Sequence, residues 1–116
     1  LSYVIPAAVR YQNLLIENVK GIKEIFGDDY MGYCSSEVET LKTISRYIND
    51  ISTDVDLLVE ARKKANRIEN IAQRAKVYSR DVKDMMEKVR ESADNLEMLI
   101  DNELWPLPKY RELLFF

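Results

Sequence analysis

The groups in this chain best equipped for chemistry are one thiol, a pair of adjacent carboxylates and a cluster of cations. Cys34 is the only cysteine. A thiol becomes a nucleophile when a neighbouring base or cation draws off its proton, and no such group stands beside it in sequence, so an inert thiol is expected. A lone cysteine also excludes an internal disulfide and fits a reducing compartment such as the cytoplasm. Asp28 and Asp29 lie in the segment GDDYMGYCS, but the alternating oxygen ligands and the terminal bidentate Glu of a calcium loop are missing. Histidine is absent. That removes the commonest general base and the commonest zinc ligand together, so no catalytic, metal or cofactor-binding residue is assigned to the chain taken alone.

The cations are the remaining candidates. Arg62, Lys63, Lys64, Arg67 and Arg74, with Lys76 and Arg80 beyond them, outnumber Glu60, Glu69 and Asp81. Phosphate recognition needs such a cluster with its donors on one face and, for nucleic acid, aromatics for stacking. Tyr78 is the only aromatic nearby, and it falls on an apolar series. The expected role is therefore a solvated basic face, or a docking patch for an acidic partner surface, rather than a nucleic-acid site.

Helices must position these groups. Ser36 to Ile68 contains neither Gly nor Pro, and Leu41, Ile44, Ile48, Ile51, Val55 and Leu58 recur at alternating gaps of three and four, the spacing of one apolar helical seam. The residues between them, among them Arg46, Asn49, Asp50 and Asp54, read as a solvated face. Ser36 and Glu39 have the spacing of a capping box at the start. Upstream, Pro6 suits the first turn of a helix; Ala8, Tyr11, Leu15, Val19, Ile22 and Phe26 keep a helical period, and Gly27 supplies the stop. Gly21, inside this first helix, is expected at a close helix contact. Gly27 to Ser35 reads as a loop whose Tyr30, Met31 and Tyr33 fold over the end of the bundle.

No Gly or Pro follows until Pro106, so register has to locate the next break. Past Leu58 the seam would continue through Arg62, Glu69, Lys76 and Lys83, which cannot be a core stripe. A second series, out of phase with the first, runs Ile68, Ile71, Ala75, Tyr78, Val82, Met85, Val89, Ala93, Leu96 and Leu99 or Ile100. Either the chain turns back near 66–70, or one long helix slips register there. A single helix would be about 100 Å long with about 30 Å of first helix to cover it, whereas a hairpin has two arms of about 50 Å, so length favours the hairpin. Asn66 and Asn70 are the residues best able to end helices there. The expected fold is all-α: an antiparallel up-down-up three-helix bundle with helices at about 6–26, 36–67 and 71–102. The basic cluster would lie at a projecting tip, and 103–116 would form a short extended and helical tail.

Composition agrees with one domain over 1–116. Hydrophobic residues at 47% and charged residues at 32% describe a globular chain, and a net charge of -3 points globally to neither nucleic acid nor a membrane surface. The sequence holds no apolar run of the roughly 20 residues that span a bilayer, and no signal peptide. It begins at Leu1, without Met and inside an apolar run, as expected for a piece cut from a longer protein. At the other end, ELWPLPKYRELLFF carries two prolines that hold Trp105 and Leu107 extended. Trp105, Leu107, Tyr110 and Leu114, with Leu113, Phe115 and Phe116, are too much apolar surface to leave in water, since burying each large side chain is worth about 1.5 to 3 kcal/mol. They pack on Tyr30, Met31 and Tyr33 or dock on another domain or subunit.

Four stretches carry a family resemblance: PAAVRYQN at Pro6–Asn13, ENVKGIKEIFG at Glu17–Gly27, VEARKKANRIEN at Val59–Asn70 and DNELWPLPKYRELLF at Asp101–Phe115. Together they resemble the C-terminal region of the bacterial type III glutamine synthetases, the tail being the most specific. Phe116 departs from the polar residue expected there. The resemblance implies a parent that joins glutamate to ammonia in glutamine biosynthesis and nitrogen assimilation, using ATP and Mg²⁺ or Mn²⁺ in a large ring-shaped homo-oligomer. The family's metal, ATP and glutamate motifs lie upstream of this region, so no catalytic residue carries over. The implied role is a non-catalytic C-terminal domain whose partners are the catalytic domain of its own chain and neighbouring subunits, with Trp105, Leu107, Tyr110 and Leu114 as contact residues. The alternative is a free-standing helical interaction module that takes a partner helix along its seam. An enzyme in its own right is a third reading, which metal or nucleotide binding by this chain alone would favour.

Overall fold

The structure, a computed structural model, describes residues 3–104, and these are helical almost throughout. Helix α1 spans Val4–Phe26, α2 Met31–Asn66, α3 Ile71–Val77 and α4 Lys83–Leu104. A 3₁₀ turn, Gly27–Asp29, joins α1 to α2, and a π-helical turn, Tyr78–Val82, joins α3 to α4. Across the π turn the backbone stays right-handed, and the Lys83 N–H donates to the Tyr78 carbonyl five residues back. α3, the π turn and α4 therefore form one arm, and the chain turns back at 67–70 as the hairpin reading expects.

α1 starts two residues before Pro6. Its first backbone bond runs from the Ala7 N–H to the Tyr3 carbonyl at 3.1 Å, so Pro6 still lies in the first turn, where an N–H has no helical partner. Gly27 ends the helix as expected: φ 62° and ψ -132° is a conformation closed to residues with a Cβ, and its N–H donates to the Lys23 carbonyl. The loop expected over 27–35 and the capping box at Ser36 are not formed. α2 begins at Met31, Tyr30 precedes it with no side-chain cap, and the helix is interrupted at Cys34 (φ -141°, ψ 21°) before running on. Tyr33 stacks on Phe26 at 4.0 Å and Lys23 lies 5.2 Å from the Tyr30 ring, so this segment is held against the last turn of α1 and satisfies its backbone by winding into helix. Ser36, now inside α2, accepts the Thr40 hydroxyl on its carbonyl at 3.1 Å.

The three arms share one core: Val4, Ala8 and Leu15 from α1, Ile44 and Ile51 from α2, and Ala93, Leu96 and Ile100 from α4. All six expected seam residues of α2 are buried or half-buried. Cross-links give the relative order of the arms. Gln12 donates to Ser45 at 2.8 Å and Asn18 to Glu37, Lys88 pairs with Asp54 at 3.4 Å, the Tyr78 hydroxyl donates to Asn66, and the Tyr3 hydroxyl donates to Glu97 at 2.7 Å.

Four expectations fail for identifiable reasons. Ile71 is 80% exposed and Ala75 is also exposed, while Arg74 and Val77 take the inner side, because the π turn inserts one residue's worth of rotation between the tip and the seam of α4. Asp54 is buried rather than solvated; α2 is covered from two sides, and Lys88 of α4 reaches across to neutralise it. Phe26, expected on the core face of α1, is 42% exposed and stacks on Tyr33 instead. Gly21 makes no close helix contact, since a Cβ there would meet nothing within 4 Å.

Replacing Leu96, wholly buried, by Ala should cost about 2 to 5 kcal/mol of unfolding free energy in a denaturant titration, whereas Ile71→Ala should stay within about 0.5 kcal/mol of the parent. Similar costs at the two sites would contradict the rotation introduced by the π turn. The hydrogen bond to Glu97 raises the Tyr3 phenol above its ordinary value. What it contributes to folding is full below the ordinary tyrosine range and lost as pH climbs through the raised value, so Tyr3→Phe should remove a component of the tyrosinate absorbance titration that ionises above that range.

Candidate docking surfaces

The tip of the hairpin is built from the last turns of α2 and the start of α3. Arg62, Lys63 and Lys64 are exposed on α2, and Arg67, also exposed, follows its last residue. Lys63 and Lys64 stand beside the C-terminal carbonyls of a helix, where partial negative charge favours cations. The turn closes through Arg67 N–H to the Lys64 carbonyl at 3.2 Å and Ile68 N–H to the Ala65 carbonyl at 3.1 Å. Asn70 then caps α3, its side chain accepting the Gln73 N–H at 3.0 Å. Asn66 adopts no left-handed conformation; it contributes through its side chain, which receives the Tyr78 hydroxyl.

Arg74 does not belong with the free cations. It is half-buried, and its Nε donates to the Ile68 carbonyl at 2.8 Å, bracing the turn from inside. Arg80 is also engaged, by Asp81 at 2.9 and 3.2 Å, and the guanidinium holds the Asp81 carboxyl below its usual range. The structure thus brings Arg62, Lys63, Lys64 and Arg67 together as an exposed basic tip. Over 60–80 seven cations face two carboxylates, while in the rest of the chain eighteen carboxylates face ten cations. The tip therefore carries the opposite sign to the rest of the sequence. α1 packs on α2 and α4, and α3 with the π turn packs on α2, so the tip extends beyond the three-helix core in a molecule 64 Å long.

At the other end sequence reasoning missed an apolar surface. Ile25 is 77% exposed and Tyr33 61%, and Phe26 and Met31 are exposed with them where Tyr30, Met31 and Tyr33 were expected to cover the bundle, while exposed Leu14 lies further back along α1 on a groove shared with Ile25. The signal was present in sequence, since Leu14 and Ile25 fall outside the α1 series, but isolated exposed apolar residues are common enough to pass unnoticed. Cys34 is buried, with its thiol donating to the Tyr30 carbonyl at 3.3 Å. Asp28 and Asp29 are exposed in the 3₁₀ turn, and among the described residues no group of three or more His, Cys, Asp or Glu side chains could hold a metal ion. Nor, among them, is any helix long and apolar enough to cross a membrane. Trp105, Leu107, Tyr110 and Leu114 lie outside the described residues.

Two curated relatives match this chain over nearly its whole length. A glutamine synthetase of Bacteroides fragilis (strain YCH46) is 44% identical over 116 residues, which is 99% of this chain and 16% of that protein. A type-3 glutamine synthetase of Dictyostelium discoideum is 26% identical over 123 residues, 98% of this chain and again 16% of that protein. The chain spans about a sixth of the length of these relatives. No family model matches it. The resemblance to glutamine synthetases, read above from four stretches of sequence, is borne out by both relatives, and the Dictyostelium one carries the type-3 name.

Arg74 and Arg67 should behave differently on truncation. Arg74→Ala leaves the Ile68 carbonyl without its charged donor and should lower stability by about 1 kcal/mol or more in urea denaturation, while Arg67→Ala should change it by less than about 0.5 kcal/mol. Equal effects would return Arg74 to the free cations.

Proposed function

We propose that this chain is a non-catalytic helical domain from the C-terminal end of a type III glutamine synthetase, where it docks on the catalytic body and contributes to assembly. The observation that carries this reading is a match to glutamine synthetases that takes in nearly all of this chain but only about a sixth of theirs. The sequence adds its own support: without histidine, a glycine-rich phosphate loop or a carboxylate cluster, it offers nothing to hold ATP or a catalytic metal. The joining of glutamate and ammonia, with ATP and Mg²⁺ or Mn²⁺, then belongs to residues outside this chain, in a cytoplasmic homo-oligomer. In this reading the domain is a single up-down-up bundle whose two ends are contact surfaces.

The apolar end is the natural dock. Ile25, Phe26, Met31 and Tyr33 are exposed there, and the sequence supplies further anchors in Trp105, Leu107, Tyr110 and Leu114, of the kind that dominate stable interfaces. The basic tip would meet an acidic surface of the body or of a neighbouring subunit, steering and orienting the contact more than strengthening it. A free-standing module that recruits a partner helix through the α2 seam is less favoured, because Ile44 and Ile51 are already buried against α1 and α4.

In the full-length enzyme, Trp105→Ala combined with Tyr110→Ala and Leu114→Ala should weaken assembly by about 2 kcal/mol or more, roughly thirtyfold in dissociation constant, as read by sedimentation across concentration. Wild-type assembly together with unchanged protease resistance of the domain would sink the docking role. Reversing two tip charges, Lys63→Glu with Lys64→Glu, should slow assembly and flatten its dependence on salt. An unchanged salt profile would leave the tip as a solvated face.

A further inference from the structure

Ahead of Tyr3, the groove between α2 and α4 that α1 occupies continues. Tyr3, at the head of α1, is fixed by its hydroxyl on Glu97 of α4. α1 runs opposite to α2, as the Gln12–Ser45 and Asn18–Glu37 bonds require, and α2 runs opposite to α4, as Asn66–Tyr78 and Asp54–Lys88 require. α1 and α4 are therefore parallel, and going upstream from Tyr3 means going upstream from Glu97 along α4. That path lies over Asp94, Ala93, Arg90, Met86 and Lys83, which with Leu58 of α2 line an open groove of about 470 Å³. Its floor is apolar: Val89 and Ala93 are buried in the helix contacts, while Met86 is 57% exposed. Lys83, Glu87, Arg90 and Asp94 edge it with both signs of charge. The groove is thus the continuation of the α1 contact with α2 and α4.

The head of α1 has no stop of its own. Tyr3 keeps right-handed helical angles (φ -113°, ψ -25°), its side chain makes no cap among the described residues, and no acidic residue sits in the first turn. A helix that ends in solvent usually carries one of these devices. Pro6 removes one N–H from the account but leaves Val4 and Ile5 without a capping side chain. We infer that the groove over Met86 and Val89 is the seat of the segment that leads into this chain in the longer protein. This inference rests on the proposal that the chain is the later part of a type III glutamine synthetase, whose relatives are about six times its length. From Asp94 to Lys83 the groove is about 17 Å long, so five or six extended residues, or about eleven helical ones, would fill it. Pro6 disfavours an unbroken helix across the junction, so the segment enters at a bend or as extended chain.

A photo-crosslinking phenylalanine analogue placed at Met86 in the full-length enzyme tests this, with the same analogue at exposed Glu91 as control. The expected result is a Met86 adduct that mass spectrometry maps to the dozen or so residues immediately before Val4, and no such adduct from Glu91. Adducts elsewhere in the same chain, on another subunit, or none at all would overturn the inference. The intact mass of the natural protein reads the parentage separately, so a failed seat and a failed parent are told apart. Met86→Glu supplies a second arm. It should make the junction before Val4 cleavable by protease at low protease concentration while Leu96 and its neighbours stay protected, and an unchanged cleavage pattern would count against the seat.

Discussion

Everything in this molecule depends on α2 finding its partners within its own chain. A seam of Ile and Leu along a helix of 36 residues is, by itself, an invitation to oligomerise. The reversal at 67–70 withdraws it by bringing Leu96 and Ile100 back against Ile44 and Ile51, and α1 closes the remaining side with Val4, Ala8 and Leu15. The reversal is secured less by special backbone angles than by side chains reaching across it: Asn70 onto the Gln73 N–H, Arg74 onto the Ile68 carbonyl and Tyr78 onto Asn66. Gly27 is the only described residue with positive φ, so the hairpin is closed by hydrogen bonding and packing rather than by glycine.

Much of this was legible in the sequence, and the places where reading failed share a cause. The α2 seam, the stop at Gly27, the turn near Asn70 and the inward positions from Val82 to Ile100 follow from periodicity and capping chemistry, which are local. Asp54, Arg74 and Phe26 were misjudged because their environments are set by residues distant in sequence: Lys88 arrives from another helix, the Ile68 carbonyl is presented by the turn, and Tyr33 offers Phe26 a stacking surface outside the core. The absent capping box at Ser36 belongs here too, since contacts to α1 reward an earlier start for α2 than local propensity would choose. The π turn has no sequence signature of its own, and a strictly alternating period could not reveal it.

The candidate surfaces show the same division. Cations clustered in sequence were easy to see, but which of them are free depends on hydrogen bonds that only the folded turn supplies. The structure moves Arg74 from the patch to the framework, pairs exposed Arg80 with its neighbour Asp81, and leaves Arg62, Lys63, Lys64 and Arg67 facing outward. Basic tip and apolar end then stand at opposite ends of α2, a layout suited to spanning between two neighbouring surfaces more than to enclosing a small molecule.

The π turn works as a joint in the returning arm. One extra residue in a helix turns whatever lies beyond it by about 100° around the axis. Because Tyr78–Val82 separates α3 from the core-lining part of α4, the facing of α3 is decoupled from the packing that stabilises the bundle. Losing or gaining a single residue there would turn α3, with Ile71 and Arg74, by about a quarter turn while leaving Val89, Ala93, Leu96 and Ile100 in register. The face that α3 shows to α2 can thus change without redesigning the core.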